Sequence, residues 1–184
     1  MCIINLSMCD TPASRPTIEL EAIDTTTPEE TVASACALLL EYGGFVVAQR
    51  GTAQFCFESL EKEAQRLPTS FTELGGGCMI ARVNGEPAGF IAWRAVIKNV
   101  ADASWEIKRL WVRQEARGLG LGRKLTEAIL ERARAAGQSA VYLDTVPESM
   151  GAAYSMYLDL GFEPCAAYND NLMDGIAYMR KRLK

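Results

Sequence analysis

The run Glu106-Ile-Lys-Arg-Leu-Trp-Val112-Arg-Gln-Glu-Ala-Arg117-Gly-Leu-Gly120-Leu-Gly122-Arg-Lys-Leu125 constrains this chain more than any other segment. It passes from a strand to a helix through a basic turn with glycine at every second place. Gly118, Gly120 and Gly122 carry no Cβ, so successive backbone N–H groups can turn towards one point and let an anion approach closely. The helix that follows adds its own unpaired N–H groups and the positive end of its dipole. That dipole contributes only ~0.3–1 kcal/mol per exposed anionic charge, so the flanking Arg117, Arg123 and Lys124 matter as well. The turn reads as a phosphate cradle, with a plain structural turn as the alternative.

Spacing narrows the ligand. A Walker A loop needs four residues between its glycines and then Lys-Ser/Thr, whereas three separate Gly118 from Gly122 and Arg123-Lys124-Leu125 follows. A dinucleotide turn needs Gly-x-Gly-x-x-Gly, but position 123 is arginine, and the preceding strand is charged where a buried parallel strand is apolar. The remaining pattern, Arg117-x-x-Gly120-x-Gly122, resembles the Gln/Arg-x-x-Gly-x-Gly/Ala signature of the GNAT superfamily of N-acetyltransferases. In that superfamily the loop binds the pyrophosphate of acetyl-coenzyme A. The resemblance therefore marks Arg117, Gly118, Leu119, Gly120, Leu121, Gly122, Arg123 and Lys124 as the coenzyme-binding stretch.

The surroundings extend the likeness. Leu121, Leu125, Ala128, Ile129, Ala133 and Ala136 fall on one face of a helix over 121–136, closed by Gly137. A strand over Ser139–Thr145 and a helix from about Ser149 to Leu160 follow, the latter ended by Gly161-Phe162. The order strand, turn, helix, strand, helix is a right-handed crossover with a partly parallel pairing. Tyr157-Leu-Asp-Leu-Gly161-Phe162 resembles the superfamily's Leu-Tyr-x-x-x-Gly-Phe element, with methionine in place of leucine. Together the motifs imply an α/β (α+β) fold: one GNAT-like domain over 17–184, a mixed central sheet of six to seven strands and about four flanking helices.

With 184 residues and 49% hydrophobic content, the chain can bury a full core without disulfides or a structural metal. Six scattered cysteines form no Cys-x-x-Cys pair, and there is no histidine to complete a zinc site, so free thiols and no metal are expected. Free thiols fit a reducing cytoplasm. No secretory signal is read at the N-terminus, and no stretch is read as approaching the ~18 apolar residues of a membrane span. A net charge of −4 argues against general nucleic-acid binding. A homodimer is left open.

The remaining segments read coarsely. Residues 1–16 form an irregular extension. A strand over Thr17–Ile23 precedes a helix capped by Thr27, with Pro28 in its first turn, running to Tyr42 and stopping at Gly43-Gly44. A second helix covers Ala53–Leu67. Cys78–Val83 and Ala88–Val96 form a hairpin around Asn84-Gly85, and a last strand covers Ile176–Arg182.

The resemblance also implies roles. A primary amine of pKa about 10 is about one part in a thousand deprotonated at neutral pH, so a proton acceptor is needed. Glu106 sits where the histone-acetylating branch carries its catalytic glutamate, which makes it the candidate general base, directly or through water. A solvated carboxylate, or a salt bridge to Lys108 or Arg94, is its alternative. Tyr157 would donate a proton to the departing coenzyme A thiolate, or else serve as a core tyrosine. Leu110, Trp111 and Val112 would pair through their backbone with the pantetheine arm, and the Leu110 N–H is a candidate oxyanion donor. Ala152 and Ala153 would leave room for the arm or simply pack. Residues 51–77, with Phe55, Phe57, Glu58, Phe71 and Glu73, and Tyr168-Asn-Asp-Asn171 correspond to acceptor regions, although Phe55, Cys56 and Leu60, at helical spacing, read first as core. The acceptor expected is a small amine or amino-acid-like molecule, then a protein lysine or N-terminus. A non-catalytic acetyl-coenzyme A sensor is the rival from another class.

Overall fold

The computed structural model describes residues 15–50, 54–96, 100, 102–171 and 173–183; the side chains of 49, 50 and 54–58 are outside the description. The extension over 1–14 and the side chains of Phe55, Phe57 and Glu58 therefore lie outside the described residues.

Alternating residues build β1 (Ile18–Ile23), which leads to a long helix α1 (Glu29–Arg50), then α2 (Gln54–Gln65) and the single turn α3 (Thr69–Thr72). The hairpin of β2 (Gly77–Val83) and β3 (Glu86–Ala95) turns at Asn84 and Gly85, whose φ angles of 51° and 85° are the pair of left-handed conformations that an Asn-Gly turn supplies. Strand β4 (Ser104–Val112) and a 3-10 turn (Gln114–Ala116) feed α4 (Leu121–Ala135). The chain then forms β5 (Ala140–Thr145), α5 (Gly151–Asp159), β6 (Glu163–Pro164) and β7 (Ala177–Arg182).

The seven strands make one sheet in the order β1-β2-β3-β4-β5-β7-β6, antiparallel except where β4 meets β5. This is the expected mixed sheet, with α3 as a fifth helix. Period-two alternation divides the core. Met79, Ala81 and Ile91 face α4, where Leu121, Leu125, Ile129 and Ala133 form the buried stripe. Cys78, Ile80, Phe90 and Ala92 face the other way, onto Ala35, Leu38 and Leu39 of α1 and Leu60 of α2. Both faces of the central strands are thus buried, which explains their nearly continuous apolar text.

Helix α1 departs from expectation at two points. It runs through Gly43-Gly44 to Arg50 instead of stopping there. A mid-helix glycine costs about 1 kcal/mol relative to alanine, and tertiary anchors on both sides outweigh that. Glu41 holds Arg113, the Phe45 ring stands 5.2 Å from Trp111, and Val46 is buried. The helix is also long and apolar enough, by length and composition alone, to cross a bilayer over Glu29–Ala48, with a mean hydropathy of 1.6. That corrects the reading that no stretch approaches a span. Here its apolar side lies on the sheet. Thr27 turns its hydroxyl back to accept the Asp24 N–H at 2.9 Å, and the Pro28 carbonyl takes the first N–H groups of the helix.

Two features of β4 prepare the site. Phe90 is level with Trp111 and Ala92 with Lys108, so Arg109 and Leu110 together oppose Ile91 in a bulge, with Arg109 at φ 59°. Strand β4 also pairs with β5 only from Ser104 to Glu106, and beyond that the two strands fork.

A Cβ at Gly76 would lie 1.9 Å from the carbonyl oxygen of Trp93, a backbone atom that cannot swing aside. Gly76→Ala is expected to lower stability by roughly 1–3 kcal/mol, the usual range for overpacking, read as a lower urea midpoint at unchanged slope.

Candidate active site

The fork opens a cleft of about 530 Å³ between β4, the glycine turn and α5. Leu110, Trp111 and Val112 form its strand wall, and Arg117, Gly118, Gly120, Leu121, Gly122 and Arg123 its turn wall. Ala152 and Ala153 at the start of α5 line the third side. Leu119 and Lys124, the other two residues expected in the cradle, stand exposed beside the cleft and do not line it. Gly118 and Gly120 adopt φ of 82° and 75°, a left-handed backbone that side chains with a Cβ adopt only under strain. Gly120 is the N-cap of α4, so the helix's first N–H groups are presented at the cleft, where an anion is favoured. The Arg117 guanidinium lies 5.4 Å from the Trp111 ring and 6.0 Å from Phe45, and its Nε donates to the Val112 carbonyl at 3.3 Å. This cation is held at the cleft mouth. Arg123 is tied to Asp159 at 3.3 Å.

Deeper in the fork are two smaller hollows. One, of about 60 Å³, lies between Leu110 and Leu143 and is bordered by Lys108, Asp144, Ala153 and Tyr157. The other, of about 80 Å³, lies among Tyr42, Leu60, Arg109, Asp144, Asn171 and Ile176. Tyr42 and Met150 border all three spaces, so cleft and hollows adjoin. Burial pushes the Tyr157 phenol well above its ordinary value, helped by Tyr42 and Asp144, so it keeps its proton at neutral pH. Its ring packs edge-on to Phe162 at 5.5 Å.

Glu106 stands apart from these spaces. Its side chain is 3% exposed and its two oxygens are fully engaged: Oε2 accepts from Arg94 Nε at 2.9 Å, and Oε1 from Lys108 Nζ at 3.2 Å, the Tyr168 hydroxyl at 2.8 Å and Asn169 Nδ2 at 3.0 Å. Burial alone would raise its pKa, but the charges of Lys108 and Arg94 and the Tyr168 hydrogen bond outweigh that and hold it below its ordinary value. The ion pairs that the sequence left open for this residue are therefore present.

Asp144 was not singled out from the sequence. It borders both hollows, and it accepts from Lys108 Nζ at 3.1 Å, Asn169 Nδ2 at 3.2 Å and Asn171 Nδ2 at 2.8 Å. Burial works against its charge too, and Lys108 and the two amides more than offset it, so its pKa is lowered. The available signal was an acid in the β-forming run Val141–Thr145, near the carboxyl end of a strand where open sheets place their ligands. Arg109 was also missed. Its guanidinium makes a bidentate pair with Glu63 of α2 at 2.9 and 3.0 Å. Of the acceptor candidates, Phe71 is core, Glu73 pairs with Arg66 on the surface, and Tyr168-Asn-Asp-Asn171 comes to the site.

Comparison with known proteins agrees with this geometry. The model of the acetyltransferase (GNAT) family matches residues 28–162, and the chain belongs to that family. An uncharacterised N-acetyltransferase of Schizosaccharomyces pombe is 37% identical over 75 residues, 41% of this chain and 45% of its own length. The chain spans about half the length of the curated relatives it matches. Among solved structures, a GNAT-family acetyltransferase of Staphylococcus aureus superposes with a TM-score of 0.70 at 16% identity, covering 91% of this chain and 100% of that one. The PaiA N-acetyltransferase of Thermoplasma acidophilum, solved in complex with coenzyme A, gives 0.67 at 17% identity over 91% and 99%. At such identities these structures show the shared fold.

The lowered carboxyl pKa values have a consequence for stability. A group whose folded pKa is depressed contributes stability that is fully present above its unfolded value and is lost as pH falls through the folded value. For Glu106 and Asp144 the loss begins below the ordinary values of 4.5 and 3.8. Thermal unfolding followed by circular dichroism is expected to show a midpoint nearly constant from neutral pH to about 5 and falling below that. Glu106→Gln is expected to start lower and fall less steeply.

Proposed function

We propose that this protein transfers the acetyl group of acetyl-coenzyme A to the primary amine of a small molecule by direct attack. The observation that carries the reading is the fork between β4 and β5, with a left-handed glycine turn at its mouth and Tyr157 and Asp144 at its base. Family membership supports it, as does the coenzyme A held by the Thermoplasma relative.

The coenzyme supplies an activated thioester. The turn from Arg117 to Arg123 holds its diphosphate, through backbone N–H groups and the guanidinium fixed over Trp111. Strand residues Leu110, Trp111 and Val112, freed from β5 by the fork, offer N–H and C=O groups to the pantetheine arm. The Leu110 N–H donates to the thioester oxygen, where negative charge develops. The hollow of about 80 Å³ takes the acceptor. Its size and its apolar wall of Leu60 and Ile176 favour a compact amine over a folded polypeptide segment, and a lysine side chain or N-terminus is the second reading. The ammonium proton leaves to the carboxylate on that wall, Asp144, directly or through water. Glu106, the base expected from the strand motif, reaches the hollow only through Lys108 and Asn169 and stands behind Asp144 in this scheme. Tyr157, protonated and buried, donates to the departing thiolate and regains its proton from the second N–H proton that the acylated nitrogen gives up, directly or through water.

Isothermal titration with acetyl-coenzyme A, beside ATP and NAD, tests the cradle, and thiol release with a panel of small amines tests the transfer. Selective binding without release from any amine would make the protein a sensor. Gly120→Val is expected to weaken coenzyme affinity about tenfold or more, because a branched side chain is strained at this φ and stands at the cleft wall; unchanged affinity would remove the cradle assignment. Tyr157→Phe is expected to lower turnover by roughly 10²–10⁴-fold with little change in coenzyme affinity, as for a lost general acid. Equal turnover would leave Tyr157 as a packing residue.

A further inference from the structure

Among the described residues Glu106 accepts four hydrogen bonds, yet it borders neither the cleft nor the two hollows. Its partners give it another use. Two of its donors, Tyr168 and Asn169, belong to the segment between β6 and β7, residues 165–176, whose described residues form no strand or helix. Beyond the Cys165 N–H, which the Tyr178 carbonyl accepts at 2.9 Å, the segment's path is fixed largely by side chains. Asn169 Nδ2 bridges Glu106 and Asp144, Asn169 Oδ1 accepts the Asn171 N–H at 3.1 Å, and Asn171 Oδ1 accepts the Met173 N–H at 3.2 Å. The Tyr168 ring is wedged between Tyr142 at 5.0 Å and Tyr178 at 5.6 Å. The same segment supplies Asn171, Met173 and Ile176 to the wall of the 80 Å³ hollow.

We infer that Glu106 is a positioning residue: its buried carboxylate clamps the 165–176 segment through Tyr168 and Asn169, and so sets the wall that selects the acceptor. The charged groups facing it are Arg94 from β3, Lys108 from β4 and Asp144 from β5, with Tyr168 from the segment itself. Arg94 and Lys108 keep the carboxylate ionised, and hydrogen bonds to an ionised acceptor are about twice as strong as neutral ones. The clamp is therefore strong enough to order an irregular segment. Its effect on acceptor choice rests on reading the hollow as the acceptor site, whereas the clamp itself does not.

Tyr168→Phe keeps the ring stacking and removes one hydrogen bond to the carboxylate; Glu106→Gln removes the charge. For Tyr168→Phe the Michaelis constant for the acceptor is expected to rise about tenfold, the scale of one hydrogen bond to a charged group, with the dissociation constant of acetyl-coenzyme A and kcat both within about twofold. Amide hydrogen exchange read by mass spectrometry is expected to quicken over 165–176 in both variants while α4 stays protected. Unchanged exchange over 165–176 in both variants overturns the clamp, as does exchange that quickens equally throughout the domain. Quickened exchange with an unchanged acceptor Michaelis constant overturns the link to selection. A wild-type protein inert towards every amine defeats the acceptor reading alone, and the exchange result still decides the clamp.

Discussion

The bulge at Arg109 and Leu110 is the constraint on which the rest of the site depends. Two residues of β4 opposite one of β3 bend the strand, and it leaves β5 after only three paired positions. A left-handed backbone at a non-glycine residue costs of the order of 1–3 kcal/mol and persists only where its surroundings fix it. Here the bidentate pair between Arg109 and Glu63 ties the bulge to α2, and α2 packs on the same sheet face as α1. The strain is thus held by tertiary contacts, and its product is an open fork with unpaired backbone at a fixed place.

Further along β4 the same logic recurs. Trp111 and Arg113 both donate to Glu41 of α1, at 3.2 Å and 2.7 Å, so the strand end and the helix are locked together where the glycine turn begins. These anchors carry α1 past its two glycines. They also make the aromatic wall on which Arg117 rests. One set of contacts therefore lengthens a helix, ends a strand and aims a cation, which is why these features cannot be read from any single segment.

What was legible in the sequence follows this division. Local devices announced themselves: the Asn84-Gly85 turn, the stripe of α4 and the glycines at 118 and 120 each depend on residues close in sequence. The order of elements and the mixed sheet followed from them. The end of α1 was misread because propensity at Gly43-Gly44 is local and its compensation, through Trp111 and Arg113, is not. Asp144 and Arg109 were missed for the same reason, since their partners lie 36 and 46 residues away. Glu106 was found by its position in a motif, with Lys108 and Arg94 already open as partners, whereas Tyr168 and Asn169 reach it from a loop 62 and 63 residues away that no spacing rule on β4 could supply.

The absence of histidine in the chain shapes the chemistry that remains. Lys108 lies between Glu106 and Asp144 and holds both carboxyls below their ordinary range, while burial pushes the Tyr157 and Tyr168 phenols above theirs. The carboxylates are therefore charged and the phenols neutral throughout the neutral range, and this inner charge arrangement does not change there. A carboxylate held that low is a weak base towards an ammonium of pKa about 10, so its contribution is to attract the cation and guide the proton out. Most of the free energy of deprotonation then falls on the acceptor itself. A site built in this way favours amines that lose their proton readily beside an apolar wall, here Val46, Leu60 and Ile176, while Tyr42, Lys108, Arg109, Asp144 and Asn171 stand among the rest of the hollow's lining.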